Sequence, residues 1–66
     1  MKFSEAVVEL IENMNDSGLS VVYENNGAVC IGKWYEDHML NFEAANTDRE
    51  VIVYKQRGRI KVVVID

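Results

Sequence analysis

Two dipeptides, Asn26-Gly27 and Arg57-Gly58, constrain this chain more than any other feature in it. Each lies between runs rich in β-branched residues. A two-residue loop of this kind closes a tight hairpin, and the loop then sets the register of both strands. With Asn26-Gly27 as the loop, Leu19–Glu24 pairs with Ala28–Tyr35, placing Tyr23 against Cys30, Val21 against Gly32 and Leu19 against Trp34. With Arg57-Gly58 as the loop, Glu50–Lys55 pairs with Arg59–Ile65, placing Tyr54 against Lys61, Val53 against Val62 and Ile52 against Val63. Alternation then assigns Leu19, Val21, Tyr23, Cys30 and Trp34 to a core face, together with Val51, Val53, Ile60, Val62 and Val64.

Residues 4–16 are the one segment with helical spacing. Phe3, Val7, Leu10, Ile11 and Met14 recur along one face, with Ser4 as the expected N-cap and Glu5 in the first turn. Asn15, Asp16, Ser17 and Gly18 form the expected stop. His38–Ala44 alternates Leu40, Phe42 and Ala44 with Met39, Asn41 and Glu43, which predicts a half-buried strand. The expected fold is therefore α+β. A single domain, 1–66, has one N-terminal helix packed on a five-stranded antiparallel meander that curls into a half-barrel.

A chain of 66 residues buries a small core and needs reinforcement. The single Cys30 rules out an internal disulfide, and with His38 it makes only two zinc-type ligands. No metal or cofactor is expected, and association becomes the expected reinforcement, as a homodimer or a stable complex. One helix also cannot cover both faces of the sheet. The outer face carries Val22, Val29, Ile31, Ile52, Tyr54 and Val63, an apolar surface suited to a partner. No apolar run is long enough for a membrane span, and no secretory signal stands at the start, so a cytoplasmic setting is expected.

Charge is sorted along the chain. Residues 1–48 hold nine acidic groups against Lys2 and Lys33, whereas residues 49–66 hold five basic groups against Glu50 and Asp66. Glu5, Glu9, Glu12 and Asp16 are spaced to form one acidic stripe on the helix, a docking strip for a partner with a basic surface. Lys55, Arg57, Arg59 and Lys61 crowd the second hairpin beside Tyr54. That cluster suits phosphate contacts with a neighbouring stacking ring. The net charge of −4 weighs against nucleic acid, because such domains are usually basic overall.

The remaining chemistry is sparse. Cys30 falls mid-strand on an apolar face, and nothing in the spacing brings His38 or Asp37 to it. Gly18, Gly27, Gly32 and Gly58 are dispersed and make no phosphate loop. Glu36-Asp37 is an adjacent pair in a turn, without the separation that acid–base work needs. Small size, acidity and lack of catalytic equipment are loosely similar to accessory proteins of phages and mobile elements, a resemblance of type with no residues to carry over. The sequence thus points to a non-enzymatic protein-binding module, an inhibitor or adaptor that occupies a partner's surface. A nucleic-acid-associated module using the 55–61 hairpin is the alternative.

Overall fold

In the computed structural model of the chain, Phe3, Ala6, Val7 and Leu10 form the inward stripe of helix α1, Phe3–Asn13. The structure describes the backbone of residues 1–13 and 19–66, and their side chains except at 11–13. The expected contributions of Ile11, Glu12, Met14 and Asp16, and the stop at Gly18, lie outside what is described. The helix begins two residues earlier than a cap at Ser4 would start it. The Glu5 carboxylate instead accepts the Lys2 N–H at 2.9 Å, one half of a capping box. The N–H groups of Phe3 and Ser4 donate to the carbonyls of Arg49 and Thr47, at 2.9 and 3.2 Å. The start of α1 is thereby bound to the turn that follows the second helix.

Both hairpins form as their turn residues dictate. Strands β1, Val21–Asn25, and β2, Ala28–Gly32, pair antiparallel with Tyr23 opposite Cys30 and Val21 opposite Gly32. Strands β3, Val51–Gln56, and β4, Arg59–Val64, pair antiparallel with Tyr54 opposite Lys61 and Val53 opposite Val62. The turn residues take left-handed backbone, with φ of 50° and 91° at Asn26 and Gly27, and 52° and 76° at Arg57 and Gly58. This is the mirror-image turn whose twist matches the strands it joins.

The five-stranded antiparallel meander with a single helix does not form. Among the described residues there are two helices and one four-stranded mixed sheet, in the order β2-β1-β4-β3, with β1 and β4 parallel. The segment expected as a strand over His38–Ala44 is helix α2, Asp37–Ala45. Its inward stripe is Met39, Phe42, Glu43 and Asn46, spaced three and four residues apart. Two of those four side chains are polar, so a purely apolar search finds alternation instead. The sheet closes no half-barrel. It is an open layer with both helices on one side.

The core lies between that layer and the helices. Phe3, Leu10, Val21, Tyr23, Met39, Val51, Val62 and Val64 are buried there. Tyr23 stacks edge-on to Phe3 with ring centroids 4.9 Å apart, and Phe42 packs on both rings. Trp34 packs half-buried at the margin, while Leu19, expected inside, is exposed. Gly32 permits the close approach of α2. A Cβ there would stand 2.8 Å from His38 Nε2 and 3.1 Å from Glu36 Oε1.

Candidate functional site: the open sheet face

Strand alternation sends every second residue of the sheet away from the helices. The registers align these residues in two rows across all four strands. One row is Val29, Glu24, Val63 and Ile52, and the other is Ile31, Val22, Lys61 and Tyr54. Three of the four positions in each row are apolar or aromatic. The fourth positions are Glu24 and Lys61, whose side chains pair across β1 and β4 at 3.0 Å. The Glu24 hydrogen bond, with a further contribution from Tyr54, holds the Lys61 ammonium above its ordinary pKa. The two charges within these rows thus neutralise each other, leaving apolar groups on either side.

All six residues expected to form the outer face are on it. Val29 and Ile31 are each 52% exposed, Ile52 48% and Tyr54 42%, while Val22 and Val63 are half-buried between neighbouring strands. Ile65 continues the face beyond β4 and is also exposed. At strand spacings of about 4.8 Å, the rows span about 14 Å between the outermost strands. Isolated exposed aliphatics are ordinary on protein surfaces, but a contiguous band is the signature of a contact surface.

The basic hairpin borders one end of this face. Val22, Gln56, Arg57, Arg59 and Lys61 line a shallow cavity of about 270 Å³. Lys55 does not join them, since its side chain projects to the helix side of β3. The structure therefore divides the four basic residues of the 55–61 hairpin between two sides of the sheet.

The described part of the acidic stripe, Glu5 and Glu9, is not part of the open face. Glu5 and Glu9 are exposed on α1, which packs on the opposite side of the sheet. Glu5 is also engaged in capping its own helix. A flat partner could not touch both the stripe and the band, so the two expected contact surfaces are separate.

One polar site is absent from the sequence reading. The Tyr23 hydroxyl donates to Glu43 Oε2 at 2.7 Å from within the aromatic cluster. Burial pushes the Glu43 carboxyl above the usual range, and burial, then the Glu43 bond, keeps the Tyr23 hydroxyl protonated. Nearby, Asn46 accepts from Asn25 at 3.0 Å and donates to the Phe42 carbonyl at 2.8 Å. These groups satisfy each other and tie α2 to β1. The available signal was a polar residue at each of two inward positions of an unrecognised helix.

Cys30 packs half-buried against the core, and His38 Nε2 lies 3.0 Å from the Ile31 carbonyl oxygen. Among the described residues, no three His, Cys, Asp or Glu side chains gather as a metal site, and no helix is long and apolar enough to cross a membrane. No protein family, curated protein or solved structure matches the chain.

Proposed function

We propose that this protein is a non-enzymatic binding module that works by laying the open face of its sheet on another protein, as an inhibitor or adaptor does. The observation that carries this reading is the pair of apolar rows crossing all four strands, with their only charges paired to each other. Burying such a face gains about 25 cal/mol for each Å² of apolar area, and the Lys61–Glu24 pair adds no unpaired charge to the cost. The acidic side of α1 faces elsewhere. It acts through long-range attraction to a partner with basic groups and contributes no contact to this surface.

The test compares affinity capture from the native cell using the wild type and the double variant Ile31→Asp/Ile52→Asp. Both residues are exposed, so the variant should keep a native circular dichroism spectrum. A protein retained by the wild type and lost by the variant supports the reading. Identical sets of retained proteins would refute it. The cavity lined by Gln56, Arg57, Arg59 and Lys61 favours a second reading, in which the same face meets nucleic acid. A gel shift at low salt with single- and double-stranded probes separates the two. No shift at tens of micromolar protein removes nucleic acid.

A further inference from the structure

The two edges of the sheet are unequal. On β2, the outward carbonyl of Ile31 lies against His38 Nε2 at 3.0 Å, and the Lys33 N–H donates to Glu36 Oε1 at 2.7 Å. The first turn of α2 therefore shields the Ile31–Lys33 end of that edge. On β3, only the beginning is occupied. The Val51 N–H donates to the Met1 carbonyl at 2.8 Å, and Lys2 bridges Glu50. Because outward groups alternate along a strand, the N–H and C=O of Val53 and Lys55 point the same way as those of Val51. No partner meets them among the described residues. Residues 52–56 are thus an open edge, with Tyr54 at its midpoint.

Beside this edge runs a groove of about 450 Å³ lined by Ala6, Glu9, Leu10, Val53, Lys55 and Ile60. Its α1 wall carries one carboxylate, Glu9. The Met1 ammonium at the start of the β3 edge is bonded to Glu50 at 2.9 Å, and Glu9 of α1 lines the groove farther along it. An incoming strand therefore needs free backbone groups, small apolar contacts and a basic side chain directed towards α1. Residues 52–56 of this chain meet all three requirements.

We infer that the β3 edge takes β3 of a second copy of the chain, antiparallel, about a two-fold axis at Tyr54. Val53 of each copy exchanges both backbone hydrogen bonds with Lys55 of the other, making four in all. Lys55 of the second copy then enters the groove opposite Val53, next to Glu9. The two Tyr54 rings become neighbours on the open face. Met1 and Lys2 set this register, since they exclude an incoming strand from Val51. The result is a continuous eight-stranded sheet with the four helices on one side. The inference is independent of what the open face binds.

The paired edge is about five residues, or roughly 17 Å, long. That is small for an interface, so the dimer is weak, with a dissociation constant on the order of 100 µM. In light scattering at low salt, the average mass should rise from 7.6 kDa towards twice that value between 20 µM and 1 mM protein. A mass that stays at 7.6 kDa at 1 mM overturns the inference. Val53→Pro removes an outward donor without breaking the β3–β4 ladder and should abolish the rise. If that variant fails to fold, exposed Lys55 gives the same test. Lys55→Glu and Glu9→Lys should each weaken the dimer at least fivefold, and their combination should restore it to within about twofold of the wild type. A rise lost in Ile31→Asp but kept in Lys55→Glu would place the contact on the open face and refute the edge.

Discussion

Removing the Tyr23 hydroxyl, by Tyr23→Phe, tests whether the bond to Glu43 holds α2 on the sheet. Tyr23 has no exposed surface, and its hydroxyl donates to the Glu43 carboxylate at 2.7 Å. A hydrogen bond to a charged group contributes about 1.5–3 kcal/mol, and the half-buried carboxylate places this one near the lower end, at about 1.5–2 kcal/mol. In a domain this small, each kcal/mol moves the melting temperature by about 4–8 °C, so Tyr23→Phe should melt about 6–16 °C lower. Glu43→Gln keeps an acceptor and removes the charge, which gives the experiment a second axis in pH. Burial raises the Glu43 pKa in the fold above its ordinary value of 4.5. The folded state therefore holds that proton more tightly than the unfolded chain does. Its contribution to stability is fully present below the unfolded pKa and is lost as pH rises through the folded one. Thermal melts of the wild type and Glu43→Gln from pH 4 to 7 should diverge, with the variant gaining relative stability as pH rises. Parallel pH profiles, together with a Tyr23→Phe melting point within 2 °C of the wild type, would refute the reasoning.

Other outcomes follow from single contacts. Arg57→Asn should raise the melting temperature by a few degrees, because Arg57 holds a φ of 52° that Asn adopts at lower cost; an unchanged or lower melting point contradicts this. Gly32→Ala should leave the fold intact while displacing His38 and Glu36, whose side-chain tips would lie 2.8 and 3.1 Å from the new methyl group. Hydrogen exchange at the Lys33 amide should then accelerate at least several-fold, and unchanged protection counts against the shielding of that edge. Phe3→Ala should cost about 3–5 kcal/mol and leave the chain largely unfolded by circular dichroism, since Phe3 is fully buried between Tyr23 and Phe42.

What was legible in the sequence was local. Asn26-Gly27 and Arg57-Gly58 act over two residues, and a hairpin register follows from its turn, so both registers and both faces were readable. The open face could also be anticipated, because apolar residues occupied both sides of four predicted strands. Helix α2 was hidden by its own composition. Glu43 and Asn46 point inward, and Leu40, at 41% exposure, points out, so the apolar pattern imitates a strand. The pairing of β1 with β4 joins residues 21–25 to 60–64 and leaves no signal in either segment. Without it, neither the open β3 edge nor the separation of the acidic stripe from the open face could be seen.

The position of β4 has a consequence for how the chain reaches its native state. A nascent chain that has emerged through Gln56 already carries the residues of both helices and three strands. Those strands do not form one sheet, because β1 and β3 meet only through β4. Of the four described strands the one latest in chain order, β4, is a central one, so acquisition of the sheet waits for Arg59–Val64 and then advances on both sides together. Loss of those six residues during synthesis would remove the seam between the two halves of the sheet, leaving a hairpin and a solitary strand with no strand to join them.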